Sequence, residues 1–241
     1  MQRKYKGLGE NNIMQHLAII PDGNRRWAAN HKLAAHLGHH KGMKAFQTAI
    51  KVCINNGIKY LSFYTFSLEN FNRSENEKKY LFSELPSEFL KKLPDLIKNG
   101  VKVQFFGDEA FFPAQLRPTI NDIQKKTQDL GRLNLNLLFC YGGRQELVFA
   151  ARKLAQQVVV GQLSVDEISE HHIRNEPWTS SMPDPDLIIR TSGIVRLSNF
   201  LLFQAAYSEF KFLNCFWPEV SEQILQNCID EFDKVTRNFG K

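Results

Sequence analysis

The sequence predicts an α/β fold with a central, mostly parallel β-sheet flanked by helices. Short apolar runs alternate with longer amphipathic stretches along most of the 241 residues, a pattern typical of strands that alternate with helices. Three of the amphipathic stretches end in a glycine, the residue expected just beyond a helix. Parallel strands need long crossover connections, and helices of this length supply them.

The strands are predicted from their apolar runs, in the order HLAII (16–20), LSFYTFSL (61–68), VKVQFFGD (101–108), LNLNLLFCY (133–141) and DLIIRT (186–191). The helices are predicted over residues 44–57, 77–100, 113–131, 144–159 and 221–235. The second of these contains Pro86 and Pro94, so we expect it to bend or to form two pieces. Ser164 and Glu167 have the spacing of a capping box that opens a short helix.

The domain organisation is predicted to be simple. No repeat, low-complexity tract or linker divides the chain, so we expect one domain over residues 1–241, with residues 1–15 as an N-terminal extension.

Charge and cysteine usage narrow the class of protein. The formal net charge of +6 favours anionic partners, but basic and acidic residues are interspersed, which argues against a nucleic-acid-binding arm. The four cysteines form no C-x-x-C pair and fit neither a zinc site nor a disulfide framework. No run approaches the ~18 apolar residues of a membrane helix, and no signal peptide is evident. We therefore expect a soluble cytoplasmic protein.

Polar loops follow four of the predicted strands: PDGNRRW, SLENFNR, YGGR and RTSGIVRLSN. The carboxyl ends of parallel strands lie at one edge of a sheet, where ligands usually bind. We therefore expect these loops to face one cleft.

The PDGNRRW loop has the chemistry of a site for a metal-bound anion. Gly23 lets the backbone turn close to a ligand, Asp22 offers a hard oxygen to Mg²⁺, and Arg25 and Arg26 offer planar donors to phosphate oxygens. A plain turn with surface arginines is the alternative.

Two further loops have related chemistry. RTSGIVRLSN has the donors of a second phosphate pocket, namely Arg190, Thr191, Ser192, Gly193, Arg196 and Ser198. SLENFNR places Ser67, Asn70 and Arg73 beside Phe71, which is equally compatible with a capped helix start. Adjacent histidines on a helix point in different directions, so His39 and His40 are not expected to bind one metal. The familiar phosphate-loop, dinucleotide and nucleophile-elbow motifs are absent.

Seven motifs occur in the order HLAIIPDGNRRWA, GHHKG, FSLENFNR, CYGGR, DLIIRTSG, RLSNFLL and AAYSEF. In these motifs the sequence resembles the cis-prenyltransferases, the isoprenyl transferase family that includes undecaprenyl diphosphate synthase. The resemblance covers residues 16–239. It implies an undecaprenyl diphosphate synthase-like fold, a homodimer, and Mg²⁺-dependent condensation of isopentenyl diphosphate with an allylic diphosphate, farnesyl diphosphate being the expected primer. It also implies a cytoplasmic enzyme with peripheral contact at the inner face of the membrane, where the lipid-carrier product is released.

The resemblance also implies roles for individual residues. Asp22 and Glu209 are expected to bind the metal, and Asp22 and Asn70 to act in catalysis. The remaining expected substrate-binding residues are Gly23, Asn24, Arg25, Arg26, Trp27, His39, Ser67, Leu68, Glu69, Phe71, Arg73, Arg190, Arg196, Leu197 and Ser198. A carboxamide is a very poor base near neutral pH, so we expect Asn70 to position substrate and pyrophosphate to accept the proton.

A growing isoprenoid needs an apolar tunnel. Candidate tunnel residues are Phe82, Leu85, Phe89, Phe105, Phe106 and Phe139, each of which is equally compatible with plain core packing. The chain also departs from the usual family pattern at Ala35, Phe71, Cys140, Ile194 and Phe203. The charges lost at Ala35 and Ile194 leave two alternatives open, a short-chain or irregular prenyl diphosphate synthase and a catalytically weak scaffold that binds prenyl diphosphate.

Overall fold

A computed structural model describes residues 14–235 and contains one six-stranded sheet. Every neighbouring pair of strands is parallel, in the order β3-β4-β2-β1-β5-β6. The strands are β1 His16–Ile20, β2 Tyr60–Ser67, β3 Val101–Phe106, β4 Leu133–Tyr141, β5 Leu187–Arg190 and β6 Glu209–Phe212. The predicted α/β class and parallel sheet are confirmed. The greater part of the predicted N-terminal extension, residues 1–13, lies outside the described residues.

The helices are α1 Asn24–Asn30, α2 Ala35–Asn55, α3 Glu75–Lys79, α4 Leu85–Lys98, α5 Arg117–Thr127, α6 Gly143–Val159, α7 Glu170–Asn175 and α8 Glu222–Phe232. Helix α2 begins nine residues before the predicted start and so contains the GHHKG motif. The Ser164–Glu167 capping box is present but opens a 3₁₀ turn, and α7 begins only at Glu170.

The predicted helix over residues 77–100 is interrupted, as its prolines indicate. A π-helical turn, Tyr80–Glu84, separates α3 from α4, and Pro94 lies inside α4. Single π-turns are rare and widen the helix locally, often at functional sites. Here the turn directly follows α3 and leads into α4, so the helical segment after the SLENFNR loop is in two pieces.

Alternate residues of the strands pack against opposite faces of the sheet. Leu17 and Ile19 of β1 belong to a core cluster shared with α2, α4 and α8. Ala18 and Ile20 belong to a second cluster with Phe200 and other residues of the segment after β5. Both sheet faces are therefore covered, and the functional loops are left at the strand ends. Within residues 14–235, no helix has the length and apolar character needed to cross a bilayer.

Helices α1 and α2 approach so closely that residue 38 has to be a glycine. A Cβ atom at Gly38 would lie 2.0 Å from the carbonyl oxygen of Asn24 and 3.3 Å from Cβ of Ala28. The contact is with backbone, which cannot rotate away as a side-chain end can. Gly38, the first glycine of the GHHKG motif, thus allows the close approach between α2 and the PDGNRRW turn.

We therefore expect Gly38→Ala to separate α1 from α2 and to destabilise the protein by about 1–3 kcal/mol, as overpacking does. In a chain of this size that corresponds to a melting-temperature decrease of about 2–12 °C, measurable by calorimetry. Gly131→Ala is the matched control, because no atom lies within 4 Å of its Cβ position. Equal melting temperatures for the two variants would contradict this account.

Candidate active site

The turn after β1 places Asp22 at the carboxyl edge of the sheet. Gly23 has φ 101°, a left-handed conformation, and a Cβ atom there would lie 2.6 Å from Cδ1 of Phe216. The turn therefore needs glycine both for its backbone angle and for the close aromatic ring. Helix α1 begins at the next residue, Asn24.

The Asp22 carboxylate lies between two arginines. Nη2 of Arg190, at the end of β5, donates to Oδ2 of Asp22 at 2.8 Å, and Nη2 of Arg26 donates to Oδ1 at 3.1 Å. The Arg190 side chain is 5% exposed and that of Asp22 28% exposed. Burial raises the pKa of Asp22, but the hydrogen bonds and positive charges of Arg190 and Arg26 outweigh it and place the pKa below its ordinary value.

The backbone of the turn is hydrogen-bonded to a segment around Trp217, which the sequence did not predict to be part of the site. The carbonyl oxygen of Asp22 accepts hydrogen bonds from Oγ1 of Thr191 at 2.6 Å and from the backbone N–H of Trp217 at 3.0 Å. The indole N–H of Trp217 donates to the Gly42 carbonyl in α2, and the Arg26 guanidinium lies 5.6 Å from the centre of the Phe216 ring. The available signal in the sequence was the pair of adjacent aromatic residues in NCFWPEV.

The loop after β5 curls around Arg190. Nη1 of Arg190 donates to Oγ of Ser198 at 2.7 Å and to the carbonyl oxygen of Arg196. Ser192 and Ser198 both have positive φ, at 78° and 51°, an uncommon conformation for residues with a side chain. Arg190 thus joins Asp22 to the loop that carries Arg196 and Ser198.

The loop after β2 begins with a reciprocal cap. Oδ1 of Asn70 accepts from the backbone N–H of Ser67 at 3.1 Å, while the Ser67 side chain accepts from the backbone of Asn70. The same loop is joined to the β5 loop because Nδ2 of Asn199 donates to Glu69 at 2.8 Å. Asn70 therefore caps the start of this loop and lines the cavity, and its expected role in positioning substrate stays a prediction.

An apolar cavity of about 840 Å³ opens from this cluster into the space between the sheet and helices α2, α4 and α5. Its deeper wall includes Phe46, Leu85, Phe89, Phe105, Ile120 and Phe139. Of the expected tunnel residues, Leu85, Phe89, Phe105 and Phe139 line the cavity, whereas Phe82 and Phe106 are not among its described lining residues. Phe106 instead packs in the cluster on the other sheet face.

The cavity unites most of the expected site residues. Those that line it are Asp22, Gly23, Asn24, Arg25, Arg26, His39, Ser67, Asn70, Arg73, Arg190 and Ser198. Those that lie outside its described lining are Trp27, Leu68, Glu69, Phe71, Arg196, Leu197 and Glu209. Trp27 stacks on His31 instead, with ring centres 4.2 Å apart.

Glu209 lies away from the cluster around Asp22. It pairs with Leu187, whereas Arg190 pairs with Phe212, three residues farther along β6. This register puts Glu209 about 10 Å away along the strand direction, and β6 lies two strands from β1, about 10 Å across the sheet. Within one chain the structure does not bring Glu209 and Asp22 together.

The side chains of the cavity fit Mg²⁺ that is bound by one carboxylate together with substrate phosphates. Asp22 is the one carboxylate among the described cavity-lining residues, and within residues 14–235 no group of three or more His, Cys, Asp or Glu side chains could hold a metal alone. Mg²⁺ commonly binds through one or two carboxylates together with substrate phosphates and water. A single carboxylate beside several arginines fits a cation that is bound together with a diphosphate.

Comparison with known proteins gives a consistent family assignment. Residues 20–240 match the family described as "Putative undecaprenyl diphosphate synthase". The farnesyl-diphosphate-specific undecaprenyl-diphosphate synthase of Micrococcus luteus is 40% identical over 99% of this chain and 98% of its own. An isoprenyl transferase of Bacillus subtilis (strain 168) is 42% identical over 95% of this chain and 88% of its own.

A solved structure extends the comparison. Lavandulyl diphosphate synthase from Lavandula x intermedia, in complex with dimethylallyl diphosphate, superposes with a TM-score of 0.90 at 31% identity, over 95% of this chain and 99% of that one. The fold and site therefore define a cis-prenyltransferase. The chain belongs to the undecaprenyl diphosphate synthase family.

The hydroxyl of Thr191 provides a test of the turn. We expect Thr191→Val, which keeps the side-chain shape but removes the donor to Asp22, to lower kcat/KM about fivefold, close to the ~1 kcal/mol of one hydrogen bond. Prenyl transfer is measured as pyrophosphate release. Thr48→Val is the control, because the Thr48 hydroxyl bonds only within its own helix, to the Lys44 carbonyl. A Thr191 variant as active as the Thr48 variant would show that the turn does not need this bond.

Proposed function

We propose that this prenyltransferase condenses isopentenyl diphosphate with an allylic diphosphate, farnesyl diphosphate being the preferred primer, to form a polyprenyl diphosphate lipid carrier. The observation that carries the proposal is the contact between a charged cluster and an apolar cavity. Asp22, Arg26 and Arg190 stand at the mouth of a cavity of about 840 Å³ walled by phenylalanine and leucine. That combination matches a ligand with an anionic diphosphate head and a long hydrocarbon tail.

The cationic side chains account for the departure of the leaving group. Arg25, Arg26 and Arg73 line the cavity around the turn and would bind the allylic diphosphate as its C–O bond ionises. Guanidinium groups suit this role because they stay protonated and donate in pairs to phosphate oxygens. Fixed donors in a partly dry site stabilise the developing charge without reorganisation.

The second substrate is assigned to the loop after β5. Arg190, Arg196 and Ser198 would bind the diphosphate of isopentenyl diphosphate so that its double bond faces the allylic carbon. The new C–C bond forms as this double bond attacks, and a proton then leaves the condensed chain. Asn70 positions the reacting ends, and pyrophosphate, the stronger base, accepts the proton.

Mg²⁺ is the proposed cofactor, bound by Asp22 together with the diphosphate, and its chemistry there is neutralisation of the leaving pyrophosphate. A metal role for Glu209 receives no support from its position within one chain.

Assembly and location are also proposed. We infer a homodimer from the family, and β6 offers an edge strand with the half-exposed Phe210 ring, where a second chain could pair. A cytoplasmic location with peripheral membrane contact suits a lipid product made without a membrane-spanning helix in residues 14–235.

A short-chain or irregular prenyl diphosphate synthase is the second candidate. It is favoured by the match to a lavandulyl diphosphate synthase and by the aromatic wall of Phe105 and Phe139 across the cavity. Ala35 also lines the cavity, so the charge lost there lies within reach of a substrate.

Product analysis separates the candidates. Purified protein with Mg²⁺ and labelled isopentenyl diphosphate is given dimethylallyl, geranyl or farnesyl diphosphate, and chain lengths are read by chromatography. The proposal predicts long products, formed best from farnesyl diphosphate. Short products from dimethylallyl diphosphate would establish the second candidate, and no turnover with any primer would leave a binding scaffold.

The charge of Asp22 is expected to be essential. Asp22→Asn keeps the shape and removes the charge that binds the metal, so we expect kcat to fall at least about 100-fold, as for other preorganised electrostatic groups. Asp122→Asn, on the exposed face of α5 where Asp122 pairs with Lys126, is the matched control. Activity within a few fold of wild type for the Asp22 variant would remove that carboxylate from the mechanism.

Phe105 and Phe106 form a pair for testing the cavity wall. They are neighbours on β3, but Phe105 lines the cavity and Phe106 packs on the other sheet face. We expect Phe105→Ala to lengthen the product, because it opens space at the wall, and Phe106→Ala to leave its length unchanged while lowering stability by about 3–5 kcal/mol. Equal product lengths for the two variants would mean that this wall does not limit the chain.

A further inference from the structure

Glu77 on the short helix α3 contacts three side chains of the cavity wall at once. Its Oε1 lies 2.9 Å from Nη1 of Arg73 and 3.5 Å from Nε2 of His39, and its Oε2 lies 3.6 Å from Nη1 of Arg25. The Glu77 side chain is 9% exposed. The contact with His39 is too long for a well-formed hydrogen bond, so the bond to Arg73 is the strongest of the three.

The three partners come from three separate elements. Arg25 lies on α1, His39 on α2, and Arg73 directly after the 3₁₀ turn of the SLENFNR loop. All three line the cavity, whereas Glu77 is not among its described lining residues. The carboxylate therefore contacts three cavity-lining side chains without lining the described cavity itself.

Charge explains why an anion is needed at this position. The guanidinium groups of Arg25 and Arg73 both approach this one carboxylate, and an anion between two such charges reduces their mutual repulsion. The contact with His39, together with the charges of Arg73 and Arg25, places the pKa of Glu77 below its ordinary value, so the carboxylate stays charged at neutral pH. Burial lowers the pKa of Arg73, an effect that the charge of Glu77 opposes.

We propose that Glu77 is a positioning residue that pre-orients Arg25, His39 and Arg73 for the diphosphate of the allylic substrate. The inference rests on the proposed function only in naming that ligand. Glu77 does not touch the substrate. It lowers the cost of ordering three donors before the anion arrives, which is how preorganisation increases affinity.

The test compares Glu77→Gln with Glu75→Gln. Glu75 lies on the same helix, but its side chain is 89% exposed and pairs with Lys78 at 2.6 Å. We expect Glu77→Gln to raise KM for the allylic diphosphate about tenfold, equivalent to ~1.4 kcal/mol, with kcat within about threefold, because the oriented donors contact the diphosphate in the ground state and the transition state alike. Glu75→Gln should match wild type.

Binding of inorganic pyrophosphate with Mg²⁺, measured by calorimetry, gives a readout that needs no turnover. We expect about tenfold weaker binding for Glu77→Gln and an intermediate affinity for Glu77→Asp, which keeps the charge on a shorter side chain. Glu77→Asp also serves if the glutamine variant does not fold. The wild-type enzyme could prove inactive while pyrophosphate affinity still decreases from wild type to Glu77→Asp to Glu77→Gln. That result would refute the proposed function but not the role of Glu77.

Three results would overturn the inference. The first is unchanged pyrophosphate affinity in both Glu77 variants. The second is tighter binding in Glu77→Gln, which would mean that the carboxylate competes with the ligand. The third is a lower melting temperature and kcat with KM and affinity unchanged, which is the result of a merely structural role.

Discussion

The ion pair between Asp22 and Arg190 is the interaction on which the site depends. It joins the ends of β1 and β5, neighbours in the sheet, across a distance of 2.8 Å. Because Arg190 is nearly buried and also donates to Ser198, its position determines that of the loop after β5. Breaking the pair would leave a buried guanidinium without its carboxylate, which is costly in any protein interior. The geometry is therefore held by the sheet and not by the loops alone.

A cationic region and an apolar cavity meet at the ion pair between Asp22 and Arg190. On one side Arg25, Arg26 and Arg73 concentrate positive charge, and on the other side the cavity is walled by rings and leucines. A purely apolar pocket would not bind a diphosphate, and a purely cationic surface would not bind a long hydrocarbon. Glu77 limits the repulsion within the cationic half. Prenyl transfer requires both halves of the site, because one substrate molecule carries both a diphosphate and a hydrocarbon chain.

The sequence predicted the parallel sheet and the cluster around Asp22, because apolar runs and strand-end loops are local patterns. It did not predict β6, a four-residue edge strand with only two apolar residues, or the support of Asp22 by Trp217, which depends on contacts between residues 195 positions apart. The sequence did not predict the role of Glu77 either, because its contacts with Arg25 and His39 join residues that are distant in sequence. Pro86 and Pro94 did predict a helix in two pieces, but the break at Tyr80–Glu84 precedes both prolines, and Pro94 lies inside α4.

Crystallography shows directly whether the head of an allylic diphosphate binds among the arginines while its tail enters the cavity. A crystal of the wild-type enzyme would be soaked with Mg²⁺ and a thiodiphosphate analogue of farnesyl diphosphate, whose leaving group departs slowly. We expect the diphosphate in contact with Arg25 and Arg26, and the hydrocarbon alongside Phe89 and Phe105. A diphosphate bound elsewhere, or a tail lying outside the cavity, would contradict it.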